Sequence, residues 1–491
     1  MKMTMDSSIA ETGLGALKGV WNAGVAVFRG VPYAVPPVGQ RRFAAPEPVT
    51  PWQGLHAAVS DGPIAPQPSS RLRAAMGDFE RPQDEDCLTL TIWTPAPDGK
   101  ARPVLVWLHG GAYMSGAGSL DWYDGATLVR DGDIVVVGVN YRLGACGFLA
   151  HPEIGPANGG LRDQQAALAW VAAHIGAFGG DPAAVTLMGQ SAGGGSIAFL
   201  LTDPTARPLF RRAIVESAAL NPPLAAAKAA ARAERLGELL GITDAGRALA
   251  QRLRAVPIAA LLEAQGKLVR ELAGEDSLAL PFGPVAAGDA PRSQHYLEAV
   301  ASGAEGKEIL IGCVREEMHA FYAADPAMTG LDAATLARRS AAITGDAQTI
   351  ETYRRRRPDG NAMDWLADLA TDYRFSLPSQ RLAALIAGRG GAVWRYRFDW
   401  APPQSKFRAC HCIELPFVFG NFPAWREAAM LAGGDPVEMQ SLSAAIKRSW
   451  INFVRDGTPQ HAGVPSWPSL GEAQGAVLHF DRTIRLEGGS A

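Results

Sequence analysis

Cysteine is scarce in this chain: there are five in 491 residues, Cys87, Cys146, Cys313, Cys410 and Cys412. A secreted disulfide framework needs many paired cysteines, so a sparse and odd set points to reduced thiols. Cys410 and Cys412 flank His411, but ligands at i and i+2 around a histidine match no zinc spacing, and no metal is expected there. An excess of one charge is also lacking, since 46 Lys and Arg stand against 49 Asp and Glu. Phosphate backbones are bound by concentrated basic patches, and the one short basic run, 354–357, reads as a solvated helix face; nucleic acid is not an expected partner. Long hydrophobic runs are missing too. No apolar stretch reaches membrane-spanning length, and the opening MKMTMDSSIAETG has no apolar segment behind its single Lys2. These absences lead to the expectation of a soluble, cytoplasmic protein without a membrane partner. Hydrophobic residues at 47% and charged residues at 19% place it among globular rather than disordered chains.

What is present is an alternation. Short apolar, β-branched runs at 104–109, 134–140, 185–188 and 213–217, and later at 309–312 and 393–398, are separated by helix-like stretches. One of these, 161–177, carries apolar residues at helical spacing and ends near the breaker Gly179-Gly180-Asp181-Pro182. Strand and helix in alternation predict an α/β fold: a mostly parallel, twisted sheet flanked by helices, with its chemistry at the carboxyl ends of the strands. The segment 225–274 is rich in Ala, Leu, Arg and Glu with few β-branched residues and predicts helices without strands, as does about 332–385. Such segments either pack on the sheet or form a cap over its site. The Pro-rich stretch 32–68 reads as an irregular region wrapping the sheet.

From Val185 the sequence runs VTLMGQSAGGGSIAFL, a strand leading through Gly189-Gln190-Ser191-Ala192-Gly193 into a helix. A serine that protrudes from such a turn needs a strained backbone, and strand and helix approach so closely that side chains two residues before and after it would clash. G-x-S-x-G also arises by chance in ordinary turns; its place between strand and helix gives it weight. An earlier strand runs as VLVWLHGGAYMSG from Val104 into His109-Gly110-Gly111-Ala112, where small residues let backbone N–H groups face a developing oxyanion. The matching donor after the serine is the N–H of Ala192. A serine hydroxyl is a poor nucleophile at neutral pH, so an imidazole must take its proton and a carboxylate must orient that imidazole. In strand–turn–helix hydrolases the order is serine, acid, histidine. The strand 309–312 is followed by Arg315-Glu316-Glu317, and His411 follows the strand 393–398; His319 is too close to Glu317 to come from a separate strand end.

The motifs together resemble the type B carboxylesterase/cholinesterase family over nearly the whole chain. The resemblance is carried by FRGVPYAVPPVGQRRFAAPEPVTPW from Phe28, DEDCLTLTIWTP from Asp84, NYRLGACGFL from Asn140, GGLRDQQAALAWV from Gly159, GQSAGG around Ser191 and ELPFVFG from Glu414. It implies one α/β-hydrolase domain over 1–491, with helical insertions at about 222–275 and 332–385. It also implies Ser191, Glu317 and His411 as the catalytic residues, and Gly111, Ala112 and Ala192 as oxyanion donors. The acidic pair of the family usually precedes Gly, whereas Met318 follows here, which keeps Glu316 open as the acid. Ser217 matches a serine that supports the acid in relatives, although Ala218 replaces the glycine that usually follows. Secreted members pair the cysteine matching Cys87 with one upstream; 62–67 contains none. Cholinesterases place a choline-binding tryptophan shortly before that cysteine, and no Trp occurs between Ser69 and Cys87, so choline esters are not expected as preferred substrates. The resemblance is nearest to bacterial p-nitrobenzyl esterases. The expected activity is hydrolysis of a small-molecule carboxylic ester through an acyl-enzyme, with no cofactor, by a monomer or weak homo-oligomer. The alternatives are an amidase or carbamate hydrolase with the same residues, and a non-catalytic binding member of the fold.

Overall fold

The computed structural model describes residues 7–244, 246–272, 281–286 and 295–488. Residues 1–6, part of the stretch read above for a leader, and 273–275, at the end of the first helical segment, lie outside the described residues. The chain opens with the antiparallel strands β1 (Ser7–Thr12), β2 (Gly15–Asn22) and β3 (Val25–Pro32), with β4 (Leu55–Ala57) beside β2 and β5 (Thr89–Thr94) beside β3. Then come β6 (Arg102–Leu108), β7 (Val135–Val139), β8 (Gly180–Gln190) and β9 (Arg212–Glu216). A short parallel pair, β10 (Leu224–Ala225) with β11 (Val285–Ala286), stands apart from the main sheet. The last strands are β12 (Glu308–Val314), β13 (Ala392–Phe398), β14 (Val477–Phe480) and β15 (Arg485–Glu487).

Among the described residues these form one thirteen-stranded sheet in the order β1-β2-β3-β5-β7-β6-β8-β9-β12-β13-β14-β15, with β4 off the path beside β2. From β7 to β14 every neighbouring pair is parallel. The carboxyl ends of β6, β8, β9, β12 and β13 therefore lie along one edge, and the expected strand runs fall on these strands and on β7 within a few residues. Both faces are covered, as near-continuous apolar strands require. Val104, Val106, Val137, Leu187 and Ile311 look toward the helices Gly159–His174 and Ala192–Thr202, while Leu105, Trp107, Met188 and Leu310 look toward the long helix Pro436–Asp456. Each such side chain stabilises the fold by roughly 1.5–3 kcal/mol on burial. That anchors the strand ends on which the site is built.

The first helical segment contains Ala226–Leu239, Gly246–Ala255 and Ile258–Leu272, whose apolar faces share a core with Tyr113 and Ala192 at the strand edge. The second contains Ala333–Thr344, Ile350–Arg356 and Ala362–Thr371, packed with Cys313 at the end of β12 and Met318 beyond it, and Leu377–Ala387, whose apolar residues join the core of the sheet. Its regularity breaks at Asp372–Ser376, a π-helical turn. Pro378 just beyond has no N–H to donate, and its ring crowds the carbonyl four residues back, so the ladder widens. No helix among the described residues is long and apolar enough to cross a membrane.

Candidate active site

Ser191 sits between β8 and the helix Ala192–Thr202 with φ 56° and ψ −118°, a conformation that costs a non-glycine residue about 1–3 kcal/mol and persists only when its surroundings enforce it. Here they do. Its N–H donates to the Glu216 carbonyl at 2.9 Å, and its own carbonyl accepts from the Gly195 N–H at 2.9 Å. The flanking glycines are steric necessities: a Cβ on Gly189 would lie 2.6 Å from the Gly193 carbonyl carbon, and one on Gly193 would run into the Leu108 carbonyl oxygen at the end of β6.

That end of β6 carries the second element. Ala112 and Tyr113 both take positive φ, at 58° and 59°, which turns the loop sharply away from the strand. The N–H groups of Gly111, Ala112 and Ala192 donate to no acceptor among the described residues. Beneath them His109 is buried and stacked on Tyr141 with ring centroids 4.3 Å apart, and the Tyr141 hydroxyl donates to the His109 carbonyl at 2.7 Å. Burial pushes the His109 imidazole down to about 4, so this histidine is a neutral support of the loop.

Glu317 follows β12 and His411 lies in the irregular stretch after β13, both almost fully buried. His411 Nδ1 stands 2.5 Å from Glu317 Oε2, and the Val314 N–H donates to Glu317 Oε1 at 3.0 Å. The His411 N–H donates to the Glu317 carbonyl at 3.2 Å, so backbone and side chains hold the two segments together. The phenyl rings of Phe321 and Phe375 pack on the imidazole at 5.5 and 5.0 Å; Phe375 comes from the π-helical turn. His411 Nε2 faces the Gln190 amide nitrogen at 3.2 Å, next in sequence to Ser191, and no hydrogen bond joins it to the Ser191 hydroxyl among the described residues.

Glu316, the alternative acid, points elsewhere. It accepts from Arg357 at 3.1 Å, from Arg408 at 3.4 Å and from the Ala409 N–H at 3.2 Å. Arg408 and Arg357 also engage Asp364, at 3.0 and 3.7 Å, and His319 Nε2 lies 3.2 Å from the same carboxylate. This network ties the His411 segment to the second helical segment. Ser217 also departs from expectation, since its hydroxyl donates to Glu414 at 3.4 Å and not to Glu317.

Several residues near the site carry no local sequence signal. Glu216, at the end of β9, is fully buried and accepts from the Trp450 indole at 2.6 Å, while its Oε2 has no partner among the described residues. Burial pushes Glu216 up to about 8. Glu414 is likewise raised well above the usual carboxylate range by burial, then by the nearby Glu317 and Glu216. A cavity of about 50 Å³ opens over Ser191, lined by Gly111, Ala112, Gln190, Trp122 and Phe321 among others. A larger one, about 300 Å³, lies beyond Tyr113 against Gly195, Ala219 and Phe282, and both helical segments contribute to its wall through Arg232 and Arg374.

The family model described as "Carboxylesterase family" matches residues 6–489. Phenmedipham hydrolase of Pseudarthrobacter oxydans is 38% identical over 479 residues, covering 96% of this chain and 94% of the relative. The para-nitrobenzyl esterase of Bacillus subtilis is 37% identical over 491 residues, covering 98% and 96%. Among solved structures, a carboxylesterase of Geobacillus stearothermophilus superposes with a TM-score of 0.86 at 36% identity, covering 98% of each chain.

Proposed function

The chain belongs to the carboxylesterase family and is a serine hydrolase of carboxylic esters; from that premise we propose that Ser191 is its nucleophile, His411 its general base and acid, and Glu317 the carboxylate that orients His411. The observation that carries this reading is the 2.5 Å contact of His411 Nδ1 with Glu317 Oε2, which turns the opposite ring nitrogen toward the strand end bearing Ser191. With Nδ1–H donating to the carboxylate, Nε2 keeps a lone pair to accept the serine proton as Oγ attacks the ester carbonyl carbon. The carbonyl π electrons move onto oxygen, and the amides of Gly111, Ala112 and Ala192 donate to that oxyanion. Each such donor is typically worth roughly 3–4 kcal/mol in the transition state. The C–O bond to the alcohol then breaks, and the alcohol leaves with the proton held on Nε2. Water, deprotonated by His411, attacks the acyl-enzyme and returns the acid product and free Ser191.

The apolar cavity over Ser191 supports a small uncharged ester as substrate. In this reading the chain is one α/β-hydrolase domain whose two helical insertions cap the strand edge; the packing of Tyr113, Ala192 and Met318 against them supports it. Five unbridged, buried thiols support a cytoplasmic setting. The test is a chain-length series of p-nitrophenyl esters run on the native protein and on Ser191→Ala, with mass analysis after a fluorophosphonate probe. Loss of about 10⁴-fold or more in kcat and of the adduct in the variant is expected. Turnover retained in Ser191→Ala, or an adduct on another residue, would overturn the assignment.

A further inference from the structure

Gln190 occupies the variable position before the nucleophile. Its side chain is almost fully buried yet lines the same cavity as Ser191. An amide nitrogen only donates, so His411 Nε2, 3.2 Å from Gln190 Nε2, is the acceptor of that contact. The ring proton then sits on Nδ1, where Glu317 Oε2 receives it at 2.5 Å. The far end of the amide is accommodated because residue 110 is glycine: a Cβ there would stand 2.8 Å from Gln190 Oε1.

We propose that Gln190 is a positioning residue for the base: in the resting state its N–H occupies the Nε2 lone pair and holds His411 in the neutral tautomer until the Ser191 hydroxyl takes its place, and so sets the acid limit of hydrolysis. The proposal rests on the reading of His411 as general base. A hydrogen bond made to the neutral form of a group opposes its charging. An imidazolium would carry a proton on Nε2, and that N–H would meet the amide N–H head on. A carboxylate at 190 would do the reverse, accepting from the imidazolium and attracting its charge. The titratable groups around His411 are Glu317 at Nδ1, Cys410, Cys412 and Glu414 on its own segment, Cys313 on β12, and Glu216 and Tyr396 on β9 and β13 behind them. Burial pushes the thiols, Tyr396, Glu216 and Glu414 toward their neutral forms. The nearby Arg315, Arg357 and Arg408 are engaged with Glu316. Among the described residues, Gln190 is the one side chain whose donor meets Nε2.

The experiment measures kcat/KM for a p-nitrophenyl ester between about pH 5 and 9 on the full chain, on Gln190→Met, which removes the donor at similar size, and on Gln190→Glu. Fluorophosphonate labelling of Ser191 at high pH and thermal unfolding accompany it. The acid limb is expected to move upward by about half a unit to one unit in Gln190→Met and by about one to two units in Gln190→Glu, with labelling at high pH retained. Should the buried carboxylate prevent folding, Gln190→Met alone decides. Acid limbs that superimpose on that of the native protein, with Ser191 still labelled, would overturn the role of Gln190 and leave the catalytic assignment standing. A native protein that neither takes label nor turns over ester would overturn the assignment beneath it as well.

Discussion

Ser191 is positioned by main chain, through a strained φ, two backbone hydrogen bonds and glycines pressed against the carbonyls around them. His411 is positioned mostly by side chains: a carboxylate at 2.5 Å, two phenyl rings, and a charged network from Glu316 through Arg357 and Arg408 to Asp364. The first arrangement tolerates almost no change in shape, because close-packed backbone cannot move aside. The second tolerates changes of shape but depends on charge. It also joins His411 to the second helical segment, which contributes Arg374 to the wall of the larger cavity.

Three substitutions would break or sharpen this contrast, given in order of their expected effect on hydrolysis. Gly193→Val drives a side chain into the Leu108 carbonyl; we expect destabilisation of more than about 3 kcal/mol and no measurable fluorophosphonate labelling, read by thermal unfolding and mass analysis. A folded, active Gly193→Val would show that the serine half is not held by close approach. Arg357→Met removes one cation from the network while Glu316 keeps Arg408; kcat should fall about 10-fold with KM little changed, and stability by about 2 kcal/mol. Unchanged kcat would detach the network from the base. Glu216→Gln lies between the halves and should leave kcat within about twofold while altering stability with pH. The folded carboxyl titrates near 8 against an ordinary 4.5, so between these values the unfolded chain has lost a proton that the folded chain keeps. Native stability therefore declines as pH rises through that window and levels off above it. The advantage of Glu216→Gln should be small below about pH 4.5 and grow to about 4 kcal/mol at pH 8, measured by denaturant unfolding. An advantage independent of pH would contradict the shift.

The same contrast explains what could be read in advance. The strand ends, the Ser191 turn and the small residues after β6 follow from local periodicity and from the space that glycine leaves, which the sequence displays directly. The strand before them narrows the acid to the pair Glu316 and Glu317, and the resemblance points to the second; in the fold Glu316 faces the arginines and Glu317 the imidazole. His411 has no regular element around it, and the residues that hold it come from positions far apart in the chain, so the family resemblance rather than any local pattern singled it out. The resemblance pairs Ser217 with the acid, yet Glu414, three residues beyond His411, is the carboxylate within its reach. Gln190 carries no signal because the motif leaves its position open, and the π-helical turn carries none because it breaks the helical period.

The strands bearing the serine and glutamate are separated in the sheet by β9 alone, and β13, which leads toward the histidine, lies directly beyond β12. Chains dominated by such distant pairings collapse and sort themselves slowly. During renaturation from denaturant, catalytic turnover should reappear only with the last step of assembly, trailing the recovery of helical ellipticity, which makes substrate colour a reporter of the completed chain.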